Sequence, residues 1–61
     1  MPVVEIKMFK GRTCEQKKKI AEKVTEVLAE VAGTTPQDVS IHFIDMERSD
    51  FAEGGVMATE W

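Results

Sequence analysis

The chain has 61 residues, of which 43% are hydrophobic and 31% charged, with a formal net charge of −3. A single domain, residues 1–61, is all this length allows, and a globular chain so short hides only roughly 60% of the surface its unfolded form exposes. The acidic balance argues against nucleic acid as a partner, and no apolar run approaches the roughly 20 residues of a membrane span. Cys14 and His42 are the only cysteine and the only histidine. An intrachain disulfide is therefore excluded, and a Cys/His metal site within one chain is disfavoured. Association with other chains is the remaining way to stabilise so small a core. A lone thiol and no visible export signal lead to the expectation of a cytoplasmic protein.

Pro2 directly precedes the first element. Residues 3–9, VVEIKMF, alternate so that Val4, Ile6 and Met8 point one way and Val3, Glu5, Lys7 and Phe9 the other, which predicts a strand. Lys10-Gly11-Arg12 breaks the alternation, and Thr13 followed by Gln16 reads as a capping box that opens a helix. Ile20, Val24, Val27, Leu28 and Val31, joined by Ala21 and Ala32, recur at helical spacing over about 19 residues. Lys17-Lys18-Lys19 is read as lying across a solvated helical face. Gly33 stands where a left-handed cap ends the helix, and Pro36 prevents its resumption. A second strand is expected at about 39–45, VSIHFID, with Val39, Ile41 and Phe43 on one face and Ser40, His42 and Ile44 on the other. A helix joining two strands is the ordinary link between parallel neighbours, so the fold class is α/β, a β-α-β unit. Gly54-Gly55 then marks a tight turn before Val56-Met57, suiting a short hairpin. One helix covers one face of two strands. The uncovered face calls for a second copy of the chain, hence a homo-oligomer.

Proline has no amide to give to a sheet ladder, and at a strand's first position it is tolerated without further meaning. It acquires another meaning if Met1 is removed, as initiator methionine usually is before a small residue. The chain then begins with a prolyl secondary amine, and an α-amino group, with a reference pKa of about 7.7 to 8.0, is held neutral by apolar burial or a nearby cation. A rigid neutral amine suits a general base, or a nucleophile toward a carbonyl.

Pro2 opening a short strand, Gly11-Arg12, Glu15-Gln16-Lys17 in a helix's first turn, and Phe51 with Gly54-Gly55 together resemble the 4-oxalocrotonate tautomerase family, in register from Pro2 to about Val56. The resemblance implies a β-α-β subunit with a small carboxy-terminal hairpin, assembled as a homohexamer, a trimer of dimers. It also implies Pro2 as the general base that ketonises an enol or moves a double bond in an unsaturated 2-oxo acid, with no metal and no organic cofactor. Arg12 would bind the substrate carboxylate, and Phe51 would line the pocket and help keep the amine neutral. A guanidinium meets a carboxylate in two-pronged geometry and stabilises negative charge developing in the transition state.

The position where well-known members carry a second arginine is Ser40 here, which cannot supply charge and points toward monocarboxylate substrates. His42, on the same strand face, and Arg48, in a polar loop near Phe51, are further candidates for the substrate site. Their alternatives are a packed or solvated strand histidine and an exposed loop arginine. Cys14, at the helix start, is a reactive rather than a catalytic candidate. A second functional class remains open on the sequence: a non-catalytic oligomeric ligand-binding or storage module, of the kind flavin-storing dodecins represent.

Overall fold

Alternation, a capped amphipathic run and a glycine pair become two strands, one helix and a hairpin in the computed structural model, which describes residues 2–61. Strand β1 (Val3–Phe9) leads to helix α1 (Cys14–Ala32), strand β2 (Ser40–Met46), and the short strands β3 (Ala52–Glu53) and β4 (Val56–Met57). β1 and β2 pair in parallel, from Val3 opposite Ser40 to Phe9 opposite Met46, so the helix is the crossover the α/β reading expects. The ladder is prolonged at both ends, where Ser40 N–H donates to Pro2 C=O at 3.0 Å and Lys10 N–H donates to Met46 C=O at 2.9 Å.

The capping box forms as read. Gln16 N–H donates to Thr13 Oγ1 at 3.1 Å, and Thr13 N–H donates to Gln16 Oε1 at 2.9 Å. Gly33 closes the helix in the left-handed region with φ 69°. β2 begins one residue later than expected. Pro36–Asp38 wind into a 3-10 turn, and Val39 N–H is committed to Pro36 C=O at 3.2 Å rather than to the ladder. At the hairpin both Gly54 (φ 59°) and Gly55 (φ 82°) have positive φ, as the favoured two-residue turn requires.

Two expectations for α1 need correction. Lys17 is not solvated with its neighbours: its Nζ folds onto the sheet, 2.8 and 2.9 Å from the two carboxylate oxygens of Asp45 and 6.0 Å from the Phe43 ring centroid. Its position on the helix turns it toward the sheet, and its long stem packs there while the head finds a carboxylate. Val27 and Val31, read as part of the buried stripe, are 57% and 80% exposed. The half-buried stripe runs through Ile20, Ala21, Val24 and Leu28, and a two-stranded sheet is too narrow to reach farther round the helix.

The single chain is correspondingly thin, 42 × 25 × 13 Å. Its accessible surface is 4704 Å², against about 4000 Å² for a globular monomer of this mass. Among the described residues Ala58 alone is buried. No helix is long and apolar enough to cross a membrane among these residues.

Candidate active site

The parallel register sorts the candidate residues to the two ends of the sheet. Pro2 and Ser40 are together at the end where both strands begin: Pro2 is half-buried, and its carbonyl is held by Ser40 N–H. His42 follows on β2 opposite Glu5, with an exposed side chain. Met1, whose removal the sequence reading requires, is outside the described residues. Arg12, Phe51 and Arg48 gather at the other end. Seven strand residues separate Pro2 from the loop that carries Arg12, and at roughly 3.3 Å per residue that is more than 20 Å. Within one chain the amine and the guanidinium cannot contact one molecule of a few carbons.

At the Arg12 end the chain folds back on itself. Arg48–Asp50 form a 3-10 turn, and Asp50 takes the Glu47 N–H in a hydrogen bond of 3.2 Å. The hairpin follows and brings Trp61 onto the end of β1. Phe9, Phe51 and Trp61 meet edge to face, with centroid separations of 5.6 Å (Phe9–Phe51), 6.0 Å (Phe9–Trp61) and 5.8 Å (Phe51–Trp61). Such pairs add to the stabilisation from area burial alone. The Arg48 guanidinium carbon is 4.9 Å from the Phe9 centroid, a cation–π contact.

A cavity of about 480 Å³ opens beside this cluster, lined by Phe9, Lys10, Arg12, Met46, Glu47 and Arg48. Phe9 is the aromatic on its wall, and Phe51 stands behind Phe9. Sequence reasoning passed over Phe9 and Trp61. The available signal for Phe9 was its place on the face of β1 that carries Glu5 and Lys7, immediately before Lys10-Gly11-Arg12. Trp61 meets Phe9 only because the chain beyond the hairpin folds back onto the end of β1, a long-range contact that no local pattern reveals.

The one carboxylate on the lining, Glu47, is engaged by Lys10 at 2.8 Å. That hydrogen bond and the accompanying charge attraction raise the Lys10 pKa above its ordinary value of 10.5. A folded pKa raised in this way favours the charged pair at neutral pH, and the contribution is lost only as pH climbs through that raised value. On the helix side of Arg12 a shallower depression of about 540 Å³ carries Gln16, Lys19 and Lys23. The larger groove on α1, about 750 Å³, presents Glu22, Glu26 and Glu30. Three carboxylates repel an anionic ligand, so that groove is not the complement of a carboxylate. Cys14 is exposed at the first position of α1. Among the described residues no group of three His, Cys, Asp or Glu side chains is arranged to hold a metal ion.

The arrangement can do two things chemically. One end of the sheet presents a half-buried proline, and the other presents guanidiniums over an aromatic floor. Comparison with known proteins bears on their use. Residues 2–60 match the family model described as tautomerase enzyme. A probable tautomerase from Bacillus cereus is 42% identical over 55 residues, covering 90% of each chain. A 2-hydroxymuconate tautomerase from Bacillus subtilis is 38% identical over 55 residues, 90% of this chain and 89% of its own. The crystal structure of YwhB, a homologue of 4-oxalocrotonate tautomerase, superposes with a TM-score of 0.93 at 33% identity, covering 98% of both chains.

Proposed function

The chain belongs to the tautomerase family as an isomerase of the 4-oxalocrotonate tautomerase type, and we propose that it ketonises enols of unsaturated 2-oxo acids with Pro2 as the general base. Residues 1–61 act as one domain, and Met1 is removed to free the Pro2 amine. The amine takes the proton of the enol hydroxyl or of an α-carbon and returns it to another carbon of the conjugated system. Atoms and electrons balance within the substrate, so the residues need only shuttle a proton and stabilise charge. Arg12 holds the substrate carboxylate and draws negative charge toward it, a role that weakens the enolate-like barrier. Phe9, backed by Phe51, supplies the apolar wall that disfavours a protonated amine. Ser40 and His42, on the Pro2 half, offer hydrogen bonds to the substrate oxygens.

The observation that carries this reading is the Arg12 guanidinium, without an acidic partner among the described residues, in a cavity lined by Phe9. The substrate class is supported by the relatives named 2-hydroxymuconate tautomerase. Because Pro2 and Arg12 sit at opposite ends of β1, each site draws Pro2 from one copy and Arg12 from another. A homo-oligomer follows, and we take it to be a homohexamer built as a trimer of dimers. The flat, under-buried single chain supports that assembly. The storage-module alternative has no such support, since the family is one of enzymes.

The test is spectroscopic. Ketonisation of 2-hydroxymuconate and of phenylenolpyruvate is followed for untagged protein and for Pro2→Ala, after intact mass has shown that Met1 is absent. A loss of about a hundredfold or more in kcat is expected for a general base. Equal rates, or a mass that retains Met1, remove Pro2 from the mechanism.

A further inference from the structure

We propose that Arg48 is a second carboxylate anchor, which with Arg12 fits the site to dicarboxylate enols; this rests on the tautomerase reading above. The cavity at the end of β1 is lined by three cationic side chains and one carboxylate. Glu47 is paired with Lys10 at 2.8 Å, and the neighbouring Asp50 is turned back to the Glu47 N–H. Among the described residues the ion pairs are Lys10–Glu47 and Lys17–Asp45, so the guanidiniums of Arg12 and Arg48 have no acidic partner. The chain has 11 acidic residues against 8 basic ones. Two unpaired guanidiniums on one cavity, with the nearest acids committed elsewhere, are the complement of a ligand with two negative charges.

Position and rigidity agree with this use. Arg48 leads a 3-10 turn closed by Asp50 N–H donating to Glu47 C=O at 2.9 Å. Its guanidinium rests 4.9 Å from the Phe9 centroid, and Phe9 is itself fixed edge to face by Phe51 and Trp61. A planar cation held on an aromatic face gives up little freedom when it binds, and it still presents its N–H fork to a carboxylate. Arg12 then holds the carboxylate beside the reacting 2-oxygen, and Arg48 the carboxylate at the far end of the conjugated chain. Ser40, with no charge, does not restrict the enzyme to monocarboxylates, because the second charge comes from the loop after β2.

The experiment compares trans,trans-muconate with sorbate, a diene of the same length with one carboxylate, by titration calorimetry on the assembled protein. The wild type is expected to bind muconate about tenfold or more tightly than sorbate, the scale of one charge-assisted contact. Arg48→Met, which keeps the stem that packs on Phe9, loses that factor for muconate and changes sorbate less than about twofold. Arg48→Lys, which keeps charge but not the fork, falls between and decides the matter if the methionine variant does not assemble. Absent muconate binding, equal affinity for the two ligands in the wild type, or equal losses in Arg48→Met overturn the proposal. So does muconate affinity that depends on Lys19 and Lys23 instead, in Lys19→Met and Lys23→Met. Pro2→Ala separates the two readings: it keeps muconate binding and loses turnover. Undiminished turnover in Pro2→Ala removes the general base and leaves the anion site standing.

Discussion

Arg12 shows how little of a residue's role is decided by its own conformation. Its side chain is exposed on a loop, the usual condition of an arginine with no task. Its surroundings distinguish it: an aromatic floor, a second guanidinium and, among the described residues, no carboxylate of its own. Arg12→Ala is expected to lower kcat/KM by about 10- to 100-fold, the range of a charge-assisted hydrogen bond, measured in the ketonisation assay with both substrate types. Loss on the monocarboxylate as well as the dicarboxylate is the expected pattern, because in the proposed site Arg12 serves the carboxylate both share. Pro2 was legible as an unusual strand opener, and Arg12 and Arg48 as candidate cations. Phe9 was not, because an aromatic on an alternating strand looks the same whether it packs or lines a cavity.

At the scale of elements, local physical chemistry dominates. Thr13 and Gln16 satisfy two amide donors at the start of α1 reciprocally. Thr13→Ala is expected to cost about 1 kcal/mol per chain, read as a lower midpoint of urea unfolding at fixed protein concentration, with the slope unchanged. The substitution lies next to Arg12, so a fall in kcat/KM that accompanies it measures how far the cap also steadies the loop. The hairpin is set in the same local way by Gly54 and Gly55. The limits of local reading appear in the start of β2, displaced by the 3-10 turn at Pro36–Asp38, and in Lys17. Nothing near Lys17 in sequence announces Asp45, whose carboxylate is brought to it by the crossover.

Whole-molecule geometry makes the strongest demand. Pro2 and Arg12 are held apart by the full length of β1, and Val3, Val27 and Val31 remain more than half exposed in the single chain. In the proposed oligomer a site assembled between copies would answer the separation, and association would cover the valines. Pro2→Ala and Arg12→Ala proteins, each impaired alone, are therefore expected to exceed the activity of either parent when they are unfolded together and refolded as a mixture. Random assortment returns both groups to roughly a quarter of the sites. Absence of any recovery, with mixed oligomers verified by native mass spectrometry, places Pro2 and Arg12 in the same chain and overturns the shared site.

The amino-acid sequence by itself determined the elements: where β1 and α1 begin and end, the parallel pairing implied by a helical crossover, and the turn at Gly54-Gly55. Those features depend on alternation, caps and positive φ, which act over a few residues. Only the tertiary structure decided that Lys17 packs on the sheet, that Val27 and Val31 lie outside the half-buried stripe, and that Arg12 and Arg48 share a cavity with Phe9. It also placed Ser40 beside Pro2 and Arg48 on the cavity of Arg12, because parallel pairing brings the starts of both strands to one end of the sheet and their finishes to the other. Contacts between residues far apart in the chain follow from register and crossover, and no local pattern encodes them.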